Sequence, residues 1–317
     1  MEDLPTDFFV TTSAYTPTVH RDQYPTINPR NPEVSQAGKV VIITGASSGI
    51  GARGFAPAFA KAGPKAIVLV GRNIRRLKQT EEVIRAINPN VEYISVPTDL
   101  TDPASVDRLF RLVRSRYGHA DVLVNNAGTF SPSDVLGNVD PNAWWSDFEI
   151  NVKGTFLATR GFLSLLGFQR QGKIITLSTS GATAVFPGLS AYSISKLGAL
   201  KIAEYVAAEY SNVTSIAMQP GTVMTEMVIG GSTARPIDHV LPNAHNPDSF
   251  KRFALDTPEL VGGTGVWLAS DAANFLTGRF VSANWSVDDL VKKKDAILAS
   301  NDLKLIYQGR FGLDQFK

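Results

Sequence analysis

Seven short apolar runs punctuate the chain, and amphipathic stretches of helix length separate them. The runs are "KVVIIT" from Lys39, "AIVLV" from Ala66, "VEYISV" from Val91, "DVLVN" from Asp121, "KIITLS" from Lys173, "VTSIAM" from Val213 and "RFVSA" from Arg279. As a set they are β-rich and largely apolar on both faces, so they predict strands buried on both sides. Such strands alternating with helices predict a parallel sheet built from right-handed crossovers and covered on both faces. The expected fold class is therefore α/β, a doubly wound parallel sheet. A length of 317 residues suits either one large α/β domain or two smaller ones.

The two ends of the chain read differently. Residues 1–38 are rich in Pro, Thr and Asn, show neither helical nor strand periodicity, and predict an extended N-terminal arm that ends at Gly38. From Ser286, "SVDDLVKKKDAILAS" predicts a late helix with Ser286 as its N-cap, opening a C-terminal helix and tail over 286–317. The central 39–285 carries the strands. The cluster Lys292, Lys293 and Lys294 reads as a solvated helix face.

Composition removes several function classes. Hydrophobic residues make up 44% and charged ones 19%, the balance of a packed globular chain. Lys plus Arg at 31 against Asp plus Glu at 29 leaves +2, which supplies no field suited to nucleic acid or an anionic membrane. There is no cysteine, so disulfides, thiolate nucleophiles and thiolate metal sites are excluded. His20, His119, His239 and His245 are scattered without metal-ligand spacing, and no metal is expected. "MEDLPTDFFVTTSAY" lacks the basic start and apolar run of a signal peptide, and no stretch has membrane-spanning length, so a cytoplasmic location is expected.

Two motifs carry chemistry. The first strand runs into "GASSGIG", placing Gly45, Gly49 and Gly51 ahead of a helix; glycines there let backbone approach a pyrophosphate at the helix N-terminus. The spacing is G-x-x-x-G-x-G, and by itself it reads equally as a tight turn. In "AYSISK", Tyr192 and Lys196 lie four apart and share a helix face. A phenol with a pKa of about 10 is a poor acid or base near neutrality, and a neighbouring cation favours the phenolate. On its own, that pair reads also as a helix aromatic beside a solvated lysine.

Taken in order, "TGASSGIG", "NNAG", "NVKG", "AYSISK" and "PG" from Pro220 resemble the motif set of the short-chain dehydrogenase/reductase family over 39–285, with the arm and the "NWSVDDL" tail resembling filamentous-fungal members. The resemblance implies a single-domain Rossmann-like sheet and a nicotinamide cofactor. It implies Tyr192 as catalytic acid/base, Lys196 as its cation and ribose ligand, and Asn151 as holder of a water that links the lysine to solvent. Three hydroxyls end the fifth run, Ser178, Thr179 and Ser180; members whose active serine immediately precedes Gly-Ala favour Ser180 as the group that binds the reacting oxygen. The implied cofactor contacts are Thr44, Gly45, Ser47, Ser48, Gly49, Ile50 and Gly51 in the loop, then Asp99, Leu100, Asn126, Ala127 and Gly128, then Tyr192, Lys196, Pro220, Gly221, Val223 and Thr225. Asp99 also reads as a helix cap, and Asn125 as a sheet residue. After the second run "VLVGRN" offers Gly71 and then Arg72, with no carboxylate to repel a 2′-phosphate and a guanidinium to pair with it, which favours NADP(H) over NAD.

The expected activity is an NADP(H)-dependent oxidoreductase interconverting a carbonyl and a secondary alcohol on a small, apolar substrate of secondary metabolism. Two rivals share the fold: a non-redox isomerase or cyclase using NADP as scaffold, and a catalytically silent nucleotide-binding protein. Relatives suggest a homodimer or homotetramer. Pocket walls are expected from 130–146, from 182–190 and from the long insert after Pro220, a candidate lid. Pro57, set inside the helix after the glycine loop with Gly54 nearby, predicts a kink.

Overall fold

The computed structural model describes residues 4–131, 134–230 and 251–308. The seven apolar runs become β1 (Val40–Thr44), β2 (Ala66–Gly71), β3 (Glu92–Pro97), β4 (Val122–Asn125), β5 (Gly172–Leu177), β6 (Val213–Gln219) and β7 (Phe280–Ser282). They form one sheet in the order β3-β2-β1-β4-β5-β6-β7, every pair parallel. The expected doubly wound α/β architecture is the one observed.

Strand alternation explains why the central strands β1, β2 and β4 are apolar at both parities, with polar side chains only at their ends, Thr44 and Asn125. Val41 and Ile43 of β1 join Ile67, Leu69 and Val124 in one core cluster, while Val40 and Ile42 join Val68, Val70 and Leu123 in the other. With helices over both faces, a polar residue at either parity would be buried. The chain winds from β1 outward to β3 and then returns to β4 on the other side of β1. Loops leaving the carboxyl ends of β1 and β4 therefore diverge and open a crevice between them.

The helices that frame this crevice start at legible caps. After α1 (Phe8–Thr12) comes α2, a π-helical turn over Gly51–Phe55 running into Ala56–Lys61. Asn73 caps α3 (Ile74–Ile87), Asp102 caps α4 (Pro103–Tyr117) and Asp140 caps α5 (Pro141–Phe148), each by accepting backbone N–H groups of the first turn. α5 passes through a second π turn, Glu149–Gly154, into α6 (Thr155–Leu166); α7 spans Ser190–Glu209. The kink expected at Pro57 is the π turn: Ala56 N–H reaches back five residues to the Gly51 carbonyl, and the missing proline donor is absorbed by the wider winding. Gly54 has a packing reason. A Cβ there would lie 2.8 Å from the Pro258 carbonyl oxygen, and one on Gly262 would lie 2.3 Å from that of Gly54, so two helices touch backbone to backbone.

The arm differs from its extended reading. It contains α1 and two single 3-10 turns, Pro25–Ile27 and Pro32–Val34, and it buries Ile27 and Val34 in the core. Proline at the first position of each turn supplies the fixed φ that starts it. The tail differs too. Ser286 caps as expected, accepting Asp289 N–H at 3.4 Å, but two short helices follow, Val287–Lys292 and Lys294–Ala299. Lys293 at the break turns toward the arm, its Nζ donating to the Tyr15 carbonyl at 2.8 Å and lying 4.3 Å from the Tyr15 ring centre. Lys292 and Lys294 are exposed, as expected of a solvated face. Residues 231–250, which include most of the candidate lid together with His239 and His245, lie outside the described residues, as do 309–317.

Candidate active site

The glycine loop is held against β4 by one threonine and one asparagine. Thr44 Oγ1 accepts the backbone N–H groups of Asn126 and Ala127, both at 3.0 Å, and donates to the Val124 carbonyl at 3.1 Å. Asn126 Nδ2 donates to the carbonyls of Thr44 and Gly45 at 2.8 and 3.2 Å. Only glycine fits this approach. Gly45 has φ +65°, and a Cβ on Gly51 would lie 2.3 Å from the Gly45 carbonyl oxygen and 2.6 Å from Asn126 Nδ2. Bare backbone at the start of α2 is the arrangement a pyrophosphate needs.

At the other end of the crevice, α7 brings Tyr192 and Lys196 onto one face. Lys196 is buried, its Nζ donating to the Leu177 carbonyl at 3.1 Å and lying 6.0 Å from the Tyr192 ring centre. A Cβ on Gly128 would come within 3.1 Å of that Nζ and 3.0 Å of Asn151 Oδ1, so Gly128 leaves room for the ammonium. Asn151 lies within the second π turn and is fully buried. Its amide grips Thr129 from both sides, accepting the N–H at 2.9 Å and donating to the carbonyl at 3.0 Å, and also donates to Ser195 Oγ at 2.9 Å. π turns inside helices recur at functional sites because they re-aim side chains by one residue.

Burial sets the electrostatics here. It pushes the Tyr192 phenol up to about 12, with the Asp147 carboxylate adding in the same direction. It pushes Lys196 down to about 8, with Asp147 opposing. The sequence expectation was the reverse for Tyr192, a value drawn below that of free tyrosine by Lys196. Desolvation dominates at Tyr192, and Lys196 does not offset it because burial disfavours the ammonium as well. Asp147 is fully buried and held by Ser131, which gives it N–H at 3.0 Å and Oγ–H at 2.7 Å; burial raises its pKa while those bonds and Lys196 resist. Asp99 is held low by the N–H and hydroxyl of Thr101, with Arg72 contributing.

One cleft joins the two ends. Its walls include Gly45, Ser47, Ser48, Gly49, Ile50, Arg72, Asp99, Leu100, Asn126, Ala127, Gly128, Tyr192, Lys196, Pro220 and Thr225, all proposed from the sequence. Thr44, Gly51, Gly221, Val223 and Asn151, also proposed from the sequence, are not part of this lining. Asn125 is a sheet residue, buried and donating to Thr159 and Thr176 hydroxyls at 2.9 and 3.4 Å. Of the three hydroxyls, Ser178 lines the cleft but spends its proton on the Lys196 carbonyl at 2.9 Å. Thr179 Oγ1 accepts Gly181 N–H at 3.2 Å, and Ser180, partly exposed on the next turn, makes no side-chain hydrogen bond among the described residues. Sequence reading missed Thr129, Ser131 and Asp147. Asp147 was findable, because it sits four residues before Asn151 on the same helix face.

This lining fits a dinucleotide: bare glycine backbone at a helix start, a guanidinium at one end, and a half-buried phenol and a buried ammonium at the other. Comparison with known proteins agrees. The short chain dehydrogenase family profile matches residues 39–235. A short chain dehydrogenase of Monascus purpureus is 35% identical over 291 residues, covering 90% of this chain and 94% of its own. Among solved structures, levodione reductase superposes with a TM-score of 0.69 at 22% identity, covering 78% of this chain and 96% of its own. L-sorbose reductase from Gluconobacter frateurii, solved with NADPH and L-sorbose, gives 0.67 at 28% identity, covering 79% and 96%. The chain belongs to the short-chain dehydrogenase/reductase family, resembles its fungal members, and is an oxidoreductase of small molecules by that membership. Among the described residues no helix is long and apolar enough to cross a membrane.

Proposed function

We propose that the protein is an NADP(H)-dependent oxidoreductase that interconverts a carbonyl and a secondary alcohol on a small apolar substrate. The observation that carries this reading is the convergence of Tyr192, Lys196 and the Asn151-held Thr129 segment at one end of a cleft whose other end carries the glycine loop and Arg72. The bound nicotinamide would supply or accept a hydride at the substrate carbon. Tyr192 gives its proton to the carbonyl oxygen in reduction, and its raised pKa, which keeps the phenol protonated, suits that direction. Ser180 is the hydroxyl we assign to the reacting oxygen, since Ser178 has committed its proton and Ser180 has not. Lys196 binds the ribose and, when charged, draws the phenol's pKa down. Asn151 keeps the lysine side of the site in place and holds the water that returns protons from solvent. The fungal relatives support a role in secondary metabolism, and the spanless described chain supports a cytoplasmic location.

Arg72 is exposed at the cleft edge directly after β2 and is the residue we assign to the 2′-phosphate. Arg72→Ala should weaken NADPH by about 1.5 to 3 kcal/mol, the scale of a charge-assisted contact, and leave NADH nearly unchanged. Calorimetric titration of both cofactors checks this; equal losses would remove Arg72 from that role.

Lys196 predicts a pH dependence. In the chain on its own the group titrates near 8, pushed down by burial, and the negative charge of a bound cofactor favours the ammonium and raises that value. Binding then takes up a proton between about pH 8 and the raised value, so affinity is full below that window and falls as pH rises through it. Calorimetry at about pH 8.5 in buffers of different ionisation heat measures the uptake. A binding heat independent of buffer would contradict it.

The chain is also read as a homodimer or homotetramer joined through α6 and α7, where Phe156, Ile194 and Tyr205 are exposed. Light scattering that gave only a mass of 34.2 kDa across micromolar concentrations would contradict this.

A further inference from the structure

The N-terminal arm reaches the cleft through a single carboxylate. Asp256, just ahead of the helix Pro258–Leu268, has a side chain wholly withdrawn from solvent. Three donors converge on it: Arg21 Nε at 2.8 Å, the Thr222 backbone N–H at 2.6 Å and Asn284 Nδ2 at 3.0 Å. The Thr222 carbonyl in turn accepts Asp256 N–H at 3.2 Å, and Val223 pairs with Asp256 as an isolated parallel bridge. Gly221 leaves no slack. It has φ +77°, and a Cβ there would lie 2.5 Å from Asp256 Oδ2 and 2.9 Å from Asn284 Oδ1.

The counter-charge of this carboxylate is on the arm. Arg21 is fixed by further donation to the Phe253 and Thr6 carbonyls at 2.7 and 3.1 Å, while its own carbonyl accepts Thr257 N–H at 2.9 Å. The "ANWS" ending supplies the third support: Asn284 donates to the His20 carbonyl at 2.9 Å and accepts His20 N–H on its own carbonyl at 2.7 Å. Arm, tail and the Pro220–Thr222 turn thus meet on one buried acid. A carboxylate withdrawn from water and stripped of its cation is strongly unfavourable, and it moves, binds water or takes a proton instead. Each of these weakens the carboxylate's hold on the Thr222 N–H.

We propose that Arg21 is a positioning residue for the cofactor: by neutralising Asp256 it lets that carboxylate hold the Gly221–Thr222 peptide at the nicotinamide end of the cleft. The proposal rests on the cofactor reading given above. Sheet order separates the two ends, since Arg72 follows β2 on one side of β1 while Pro220 follows β6 three strands away on the other. A disturbance at Thr222 should therefore reach the nicotinamide half and spare the adenosine half.

The test uses the full-length chain with Arg21→Gln, Asp256→Asn, the double variant and Arg21→Lys. Each is titrated calorimetrically, below its melting temperature, with NADPH, NADH and 2′,5′-ADP. Arg21→Gln should weaken NADPH and NADH by a common factor of about five to thirty and leave 2′,5′-ADP unchanged, and the double variant should lose less than the product of the single losses. Arg21→Lys, which keeps the charge but loses the three-pronged donor geometry, should retain more NADPH affinity than Arg21→Gln. An Arg21→Gln chain that melts earlier yet binds NADPH like wild type overturns the proposal, as does an equal loss for 2′,5′-ADP. A wild-type chain that binds none of the three probes overturns the nucleotide reading itself, a result distinct from either.

Discussion

Tyr192→Phe should fold, bind NADPH with near wild-type affinity and lose about 100- to 10,000-fold in turnover, the usual contribution of a positioned acid or base. The substitution removes one hydroxyl and keeps the ring, including its edge-on contact with Phe130 at 5.0 Å between centroids. Thermal unfolding and cofactor titration should therefore barely change. The pH profile adds a second signature. Burial holds the phenol near 12 in the chain on its own, so it stays protonated across the working range and reduction should not need a base. Oxidation needs the phenolate, and its rate should climb with pH while the Tyr192→Phe residual rate stays flat. A folded, cofactor-binding Tyr192→Phe variant with full activity would remove Tyr192 from the chemistry.

Gly51→Ala should damage the opposite end of the cleft. The new methyl would lie 2.3 Å from a backbone oxygen and 2.6 Å from Asn126 Nδ2, and neither is the loose end of a flexible chain. The loop must open away from β4, breaking the Asn126 bonds to Thr44 and Gly45. Forcing a methylene-sized group into a packed site costs about 1 to 3 kcal/mol, which should appear in the denaturation midpoint. Cofactor affinity should fall by more than about tenfold, since the loop's N–H groups lose their common aim. Fluorescence titration with NADPH reads the second effect and chemical denaturation the first; an alanine variant unchanged in both would mean that the loop does not carry the phosphates.

The strands were legible because they are covered on both faces: in "KVVIIT" the four central residues Val40 to Ile43 are apolar at both parities. The glycine loop and the tyrosine–lysine pair were legible because they are local, each compressed into a few positions. The arm was not. Ile27, Gln36 and Arg21 look like loop residues in sequence, and their burial depends on partners more than 200 positions away, such as Val266 for Gln36 and Asp256 for Arg21. The "NWSVDDL" tail was visible as a resemblance to filamentous-fungal members, yet the purpose of its Asn284, to meet the arm and Asp256, is written only in the fold. The tyrosine's pKa is hidden from the sequence for a related reason. Spacing shows which charge is near, whereas burial decides which effect prevails, and burial is a property of the assembled fold.

The most direct test of the account is absorbance at 340 nm, with wild-type protein and NADPH offered a panel of small aryl and alkyl ketones and aldehydes, and with the corresponding alcohols offered alongside NADP. Absorbance should fall mole for mole with alcohol formed, and NADPH should be preferred to NADH. Conversion of a substrate while bound cofactor keeps its absorbance unchanged would contradict it, and would make the cofactor a scaffold for non-redox chemistry.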